Sequence, residues 1–244
     1  MHSLKIKPYK KNDHYSYIFG AYSVIKLIEE KPEILEGILI HSKYDDTLNL
    51  INLCKSANIP YQIADKAINR LSDKENIYVI GIFTKYEADI DGAHPHIVLV
   101  HPSNMGNLGT IIRTTDSFNI KNMAIITPAA DIFNPKVLRA SMGSLFSINF
   151  QHFTNFSDYQ AQYPSHTLYP FILKESQPLE ERIKESPFLF SLIFGNESSG
   201  LPDEFTKIGK PVKIPQSPTV DSLNLSIAVG IAAYGFASYH KLIE

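Results

Sequence analysis

The chain has 244 residues, of which 44% are hydrophobic and 20% charged, the composition of an ordinary globular protein. Its length predicts one large domain or two modest ones, and its single cysteine, Cys54, excludes an intramolecular disulfide framework. The sequence contains no uninterrupted run of about 20 apolar residues that would cross a bilayer, and its first residues, MHSLKIKPYKK, lack the apolar core of a secretory signal. We therefore expect a cytoplasmic protein without membrane attachment.

The net charge of −2 does not favour a nucleic-acid-binding protein, because phosphate contacts are made by basic surfaces. A chain that is nearly neutral in total can still carry one basic face. Four lysines are clustered near the start of the chain: Lys5, Lys7, Lys10 and Lys11. They form either a solvated tail or a small RNA-binding patch, and the sequence leaves both interpretations open.

Short apolar runs alternate with amphipathic segments along the first third of the chain, which is the pattern of an α/β fold. Helices are predicted over Tyr15–Glu29, Asp45–Ser56 and Lys66–Leu71, and strands over Ile34–His41, Ile59–Ile63 and Ile77–Phe83. The polar segment KYEADIDGAHP that follows is predicted to be a linker. This organisation predicts a first domain over residues 1–85, a linker over 86–95 and a second domain over 96–244.

The second domain begins with a short, wholly apolar run of the kind found in buried parallel strands. Strands are predicted over Ile97–Val100, Met123–Thr127, Leu145–Phe153, His166–Leu173, Phe188–Phe194 and Val212–Ile214, and helices over Asn107–Phe118, Asn134–Ser141 and Ser222–Leu242. The last helix contains Gly230 and Gly235. Because glycine costs about 1 kcal/mol inside a helix, these two residues predict close packing against a neighbouring element.

Three segments of the second domain follow or contain the end of an apolar strand and are rich in Gly, Asn and Ser. They read HPSNMGNLGTIIR (residues 101–113), FGNESSGL (194–201) and IPQSPTVDSLNLS (214–226). In parallel α/β sheets, ligands bind at the carboxyl ends of strands, where loops expose backbone N–H groups. None of the three reads GxGxxG or GxxxxGK[ST], which disfavours another kind of nucleotide-binding enzyme.

In this order, the three segments resemble the motifs of the SpoU (TrmH) family of RNA ribose 2′-O-methyltransferases, in the SPOUT superfamily. The matching residues are Asn107, Gly109, Arg113 and Thr114 in the first motif, Gly195, Asn196, Glu197, Gly200 and Leu201 in the second, and Ile214, Pro215, Ser222, Leu223 and Asn224 in the third. A further family stretch is matched by Arg139, Ala140, Ser141 and Gly143. The resemblance covers about residues 96–242, and the chain departs from it at Met105, Ser198, Gln216 and Pro218.

The resemblance implies an α/β fold in which a parallel sheet carries a C-terminal trefoil knot. A small α/β domain similar to a ribosomal protein would precede it and bind the substrate, and Tyr17–Leu27 and Tyr78–Phe83 resemble parts of that domain. The implied activity is transfer of a methyl group from S-adenosylmethionine to a ribose 2′-hydroxyl in ribosomal or transfer RNA, with no metal. The implied assembly is a homodimer formed through the closing helix.

The resemblance also implies the roles of individual residues. The implied catalytic residues are Arg113, Asn107, Glu197, Ser222 and Asn224. The implied cofactor-binding residues are Gly195, Asn196, Gly200, Ile214, Pro215 and Leu223. The implied RNA contacts are Arg139, Ser141 and the four N-terminal lysines. Because a guanidinium stays charged in proteins, we expect Arg113 to hold a phosphate and stabilise the developing alkoxide rather than to act as a base.

Taken singly, most of these residues also have plain structural explanations. Asn107 is compatible with a helix N-cap, Gly195 and Gly200 with turns, and Glu197 with a solvated loop acid. Arg113 is harder to dismiss, because it lies among apolar residues of a predicted helix and arginine is rarely buried without a partner. The alternative to an enzyme is a non-catalytic RNA-binding or assembly protein that retains the same fold.

Three histidines lie close together in the sequence, at His94, His96 and His101. They do not converge on one face of the predicted strand, so we expect surface or core residues rather than metal ligands. Cys54 lies in a predicted helix and is expected to be a small core residue.

Overall fold

The computed structural model describes residues 7–72 and 76–244, and their contacts divide into two compact units. The first unit comprises the residues up to Tyr86 together with Asp131–Ser147, and the second comprises Glu87–Ala130 and Ile148–Glu244. Residues 131–147 were predicted to belong to the second domain, whereas their contacts group them with the first unit. One reason is a buried bond, in which the Ser16 hydroxyl donates to the Phe133 carbonyl at 2.6 Å.

Helices lie between most of the consecutive strands, as the sequence predicts. The strands are β1 (Tyr15–Phe19), β2 (Leu35–Ile40), β3 (Tyr61–Ile63), β4 (Val79–Thr84), β5 (His96–Val100), β6 (Asn122–Ile126), β7 (Asn149–Phe153), β8 (Thr167–Pro170), β9 (Gln177–Pro178), β10 (Phe190–Phe194) and β11 (Val212–Lys213). The helices are α1 (Ala21–Glu30), α2 (Thr47–Ser56), α3 (Asp65–Leu71), α4 (Met105–Ser117), α5 (Pro135–Ser141), α6 (Phe156–Gln162), α7 (Leu179–Lys184) and α8 (Leu225–Tyr239). Short 3₁₀ helices cover Pro32–Ile34, Ser144–Ser147 and Asp203–Lys207.

The first unit contains a four-stranded sheet of order β1-β4-β2-β3. Strand β4 is antiparallel to β1 and β2, and β3 is parallel to β2. The predicted helix over Tyr15–Glu29 is wrong in its first third, because Tyr15–Phe19 forms β1. The aromatic and β-branched residues of YSYIF suit a strand, and Gly20 then takes a φ of 95°, which separates β1 from α1.

The second unit is built on a five-stranded sheet of order β7-β6-β5-β10-β8. Every neighbouring pair is parallel, so the predicted parallel α/β sheet is confirmed. All residues of the central strands β5 and β10 are buried, as their apolar sequences indicate. The predicted strand over Leu145–Phe153 begins only at Asn149, and helices α6 and α7 were not predicted.

Helix α8 closes the chain and begins at Leu225, three residues later than predicted. A Cβ on Gly235 would lie 2.7 Å from Ile183 Cδ1 of α7, so a side chain there would displace Ile183. A Cβ on Gly230 would lie 3.6 Å from Thr114 Cγ2, an ordinary contact distance. The close packing predicted from the two glycines is therefore present at Gly235 and absent at Gly230.

Two further expectations concern the burial of Cys54 and membrane-spanning helices. Cys54 is fully buried in α2, as predicted. Within residues 7–72 and 76–244, no helix has both the length and the apolar character needed to cross a membrane.

Candidate active site

A pocket of about 390 Å³ opens at the carboxyl ends of β8 and β10 in the second unit. This is the edge of a parallel sheet at which ligands bind, and the volume falls within the range of about 300–1,000 Å³ for small-molecule sites. Four segments line it, residues 171–174 after β8, 194–203 at and after β10, 212–216 at and after β11, and 222–228 at the start of α8. The second and third motifs therefore face each other across one cavity.

The loop after β10 folds back on itself as a tight hairpin. The Gly200 N–H donates to the Asn196 carbonyl at 2.9 Å, and Gly200 has a φ of +67°. A Cβ on Gly195 would lie 2.1 Å from the Gly200 carbonyl carbon, so only glycine fits there. The Asn196 amide fixes the loop further, since Nδ2 donates to the His101 carbonyl at 2.8 Å and Oδ1 accepts from the Ser198 N–H at 2.9 Å.

The Glu197 carboxylate clamps this loop to the start of α4. Oε2 accepts from the Ser103 N–H at 3.0 Å and from the Ser103 hydroxyl at 2.8 Å, while Oε1 accepts from the Asn104 N–H at 3.0 Å. Partial burial alone raises the pKa of the Glu197 carboxyl, but these hydrogen bonds outweigh burial and lower the pKa from its ordinary value. Glu197 is therefore an ionised acceptor with its oxygens engaged, which makes it a poor general base.

Two asparagines connect the first and third motifs. Asn224 Nδ2 donates to Asn107 Oδ1 at 3.2 Å, and Asn224 Oδ1 caps α8 by accepting from the Ser226 N–H at 2.9 Å. The N-cap of α4 is Asn104, whose Oδ1 accepts from the Asn107 N–H at 3.0 Å. The interpretation of Asn107 as an N-cap is thus wrong, because Asn107 lies inside the first turn of α4.

Arg113 is on the exposed side of α4, in line with Gly106 and Thr110. The expectation that Arg113 is buried among its apolar neighbours is wrong, because Leu108, Ile111 and Ile112 point into the core instead. Its guanidinium has no hydrogen-bond or ion-pair partner within the part of the chain that the structure describes. The side chain is therefore available to a ligand.

The remaining predicted cofactor and catalytic residues lie on the loop before α8. Ile214, Ser222 and Leu223 line the pocket, whereas Pro215 is exposed and is not part of the lining. Gly195, Asn196, Glu197 and Gly200 line the same pocket from the other side. Five of the six predicted cofactor residues thus share one cavity.

The predicted RNA-binding residues belong to the first unit. Lys7, Lys10 and Lys11 are exposed, and Lys5 lies outside the described residues. The Arg139 guanidinium lies 5.1 Å from the centre of the Phe19 ring, and the buried Arg139 Nε has no hydrogen-bond partner among the described residues. Ser141 is fully buried and its hydroxyl donates to the Leu138 carbonyl at 2.9 Å, so it does not face a ligand.

Several lining residues were not predicted. Phe171, Leu173 and Lys174 follow β8 and line the pocket, and their position at the carboxyl end of a parallel strand was the available signal. Ser103 and Asn104, which hold Glu197, belong to the first Gly/Asn/Ser-rich segment, but nothing in their residue types indicated which acid they meet. Among the described residues, no group of three or more His, Cys, Asp or Glu side chains is arranged to hold a metal ion.

The chain is similar in sequence or fold to several proteins that are named as RNA methyltransferases. The chain is 33% identical over 143 residues to an uncharacterized tRNA/rRNA methyltransferase of Synechocystis, covering 57% of this chain and 51% of that protein, about half of its length. It is 28% identical over 178 residues to the 23S rRNA (guanosine(2553)-2′-O)-methyltransferase of Bacillus subtilis, covering 71% of each. The AdoMet-bound rRNA methyltransferase from Sinorhizobium meliloti has the same fold, with a TM-score of 0.79 at 24% identity over 95% of this chain and 89% of that one.

A family model also matches this sequence. Residues 94–234, which include the three motif loops and all five strands of the parallel sheet, match the model of the SpoU rRNA Methylase family. That range is more than half of the chain and contains the pocket, the Glu197 clamp and Arg113. The chain belongs to the SpoU rRNA methylase family.

Proposed function

We propose that this chain transfers a methyl group from S-adenosylmethionine to a ribose 2′-hydroxyl in ribosomal or transfer RNA. The observation that carries the proposal is the joining of the three motifs in one site. Loops 194–203 and 212–228 form the two walls of a pocket, and Glu197 ties the first wall to the helix that bears the exposed Arg113. Family membership and the RNA substrates in the relatives' names support the same reaction.

The pocket lining fits S-adenosylmethionine, which combines an adenine ring with a charged amino-acid end. Phe171, Leu173 and Leu223 supply apolar wall, and Lys174 and Asp203, which form an ion pair with each other at 2.9 Å, supply charged groups at the same cavity. When bound, the cofactor supplies a methyl group on a sulfonium, so no metal is needed for the transfer. Gly195, Asn196, Gly200, Ile214 and Leu223 are the residues that we propose to hold it.

The chain's own residues then position the ribose and its charge. A guanidinium remains charged and binds a phosphate through two parallel hydrogen bonds. We infer that Arg113 holds the phosphate beside the target ribose and stabilises the alkoxide as it develops. The proton of the 2′-hydroxyl would pass to water as its oxygen accepts the methyl group. Asn107, Ser222 and Asn224 would orient the site around it, and Glu197, whose oxygens are engaged, maintains the loop rather than removing the proton.

The test is calorimetric titration with S-adenosylmethionine, followed by transfer of a tritiated methyl group to bulk RNA. We expect wild type, Arg113→Ala and Arg113→Lys each to bind about one cofactor molecule per subunit. Transfer should fall by about 10²-fold or more in Arg113→Ala and be only partly restored in Arg113→Lys, because lysine cannot bind a phosphate bidentately. Unchanged transfer in Arg113→Ala would contradict the role of Arg113.

A second candidate function is RNA binding without turnover. The departures from the family pattern at Gln216 and Pro218, both in the third-motif loop, are the observation that favours it. The same titration separates the two functions. Absence of detectable binding up to millimolar cofactor, together with retained RNA binding, would support the non-catalytic protein and refute the enzyme.

We infer further that the chain forms a homodimer through α8. Apolar side chains lie exposed along one side of this helix, with Ile227 54%, Ile231 40% and Tyr234 56% exposed. Their spacing of four and then three residues places them on a single face. Exposed apolar faces of this kind mark interaction sites, and the family resemblance implies a second copy as the occupant.

We also propose roles for the remaining parts of the chain. The first unit would bind the RNA substrate, with Lys7, Lys10, Lys11 and Arg139 as its contacts. The segment from β10 to α8 would form the trefoil knot that the resemblance implies, since residues 171–174, 194–203 and 222–228 all line one cavity. Because its substrates would be ribosomal or transfer RNA, we expect the protein to act in the cytoplasm.

A further inference from the structure

The loop between β11 and α8 is braced by one of its own side chains. Gln216 Nε2 donates to the Val220 carbonyl at 3.2 Å and to the Asp221 carbonyl at 3.3 Å. Both protons of the amide are therefore used to close a ring of five or six residues. Gln216 is half-buried and lines the pocket.

The residues enclosed by this ring form a compact turn. The Val220 N–H donates to the Ser217 carbonyl at 3.2 Å, and the Ser217 and Thr219 hydroxyls are 2.8 Å apart. Pro218 is the second residue of this four-residue turn, the position at which its fixed φ is most favourable. The two atypical residues of the loop, Gln216 and Pro218, thus support one conformation from two sides.

The braced turn separates two stretches of the pocket wall. Ile214 and Gln216 line the cavity before it, and Ser222 and Leu223 line the cavity after it. Fixing Gln216 to the Val220 and Asp221 carbonyls therefore sets the spacing of the two stretches. A methionine at this position would carry no hydrogen-bond donor and could not form the brace.

We propose that Gln216 is a positioning residue that holds the third-motif loop in its cofactor-binding conformation. This inference rests on the proposed function, because the ligand that benefits is S-adenosylmethionine. A loop that is already ordered loses less conformational freedom when a ligand binds, so the brace increases affinity without touching the reacting atoms. On this inference the departure at Gln216 favours the enzyme, and not the non-catalytic alternative considered above.

The experiment compares wild type with Gln216→Glu and Gln216→Met. Glutamate has nearly the same shape but presents two acceptors to two carbonyls, and methionine has a similar length but carries no hydrogen-bond donor. We expect the dissociation constant for S-adenosylmethionine to rise about tenfold in both, equivalent to about 1.4 kcal/mol. The KM for the cofactor should rise with it, whereas kcat at saturating cofactor should not change, since ground-state and transition-state binding are lost equally.

Gln160→Glu is the matched control, because it makes the same amide-to-carboxylate change at an exposed position of α6. Its affinity should equal that of wild type. Wild-type affinity in Gln216→Glu, or a parallel fall in kcat and melting temperature, would overturn the brace while leaving the proposed function intact. Failure of wild type itself to bind the cofactor would instead overturn both.

Discussion

The histidine at the start of β5 gives a quantitative prediction about acid stability. His96 is fully buried, its Nε2 lies 2.9 Å from the Asp91 carbonyl and its Nδ1 lies 2.9 Å from the Tyr159 hydroxyl. Burial, which disfavours the charged imidazolium, lowers the pKa of His96 from 6.5 to about 4. The neighbouring His166 also lowers it, and its own pKa is lowered by burial.

Proton linkage gives the direction in which the stability of the folded protein changes with pH. Below pH 6.5 the unfolded chain binds a proton at His96 that the folded protein does not bind, so stability falls as pH falls. The lowering of the pKa from 6.5 to about 4 corresponds to about 3 kcal/mol of stability. This contribution is complete above pH 6.5 and is lost as the pH falls towards 4, with about 2 kcal/mol of the loss expected between pH 7 and 5.

The assay is urea unfolding at pH 7 and pH 5, with wild type compared with His96→Gln. Glutamine retains hydrogen-bonding groups and does not titrate. Between pH 7 and pH 5 the free energy of unfolding of the variant should therefore fall by about 2 kcal/mol less than that of wild type, whatever the variant's stability at pH 7. His14→Gln serves as control, because that ring is 79% exposed, and it should follow wild type. Equal losses in wild type and His96→Gln would refute the assignment of a depressed pKa to His96.

Two further predictions concern the site and the assembly. Glu197→Gln should lower the free energy of unfolding at pH 7 by about 1–2 kcal/mol, because an amide cannot accept the bonds from Ser103 and Asn104 on both of its ends. Urea unfolding measures this change, with Glu204→Gln on the exposed surface as the control. Equal stability of the two variants would contradict the clamp. Ile227→Asp should convert the dimer that we propose into a monomer, because it places a charge on the apolar face of α8. Light scattering after size-exclusion chromatography measures the mass in solution. A wild-type protein that is already monomeric would contradict the interface.

The motifs were informative because they combine order, spacing and residue type. Gly195 and Gly200 were recognisable as turn glycines, and the structure adds that the Gly195 Cβ position is 2.1 Å from the Gly200 carbonyl carbon. The wholly apolar runs of β5 and β10 predicted a buried parallel sheet, which is confirmed. These features depend on local sequence, since the burial of both faces of a strand is visible in its composition.

Other features depended on contacts distant in sequence. Arg113 looked buried because its neighbours are apolar, but which side of α4 faces the core was decided by the elements packed against it, and Arg113 lies on the opposite, exposed side. Residues 131–147 follow β6 in sequence but join the first unit, through contacts such as the bond of Phe133 to Ser16, 117 positions away. Tyr15–Phe19 resembled a helix start until pairing with β4 gave those residues their partners.

The sequence alone determined the family, the parallel α/β architecture and the identity of the polar residues at the site, because these depend on local patterns and ordered motifs. Only the tertiary structure decided what those residues do to each other. Glu197 was a loop acid in the sequence, and three donors 93 and 94 positions away made it a clamp with a lowered pKa. Hydrogen bonds and burial act at distances of a few ångströms, and the chain path that brings such residues within reach is a property of the whole fold.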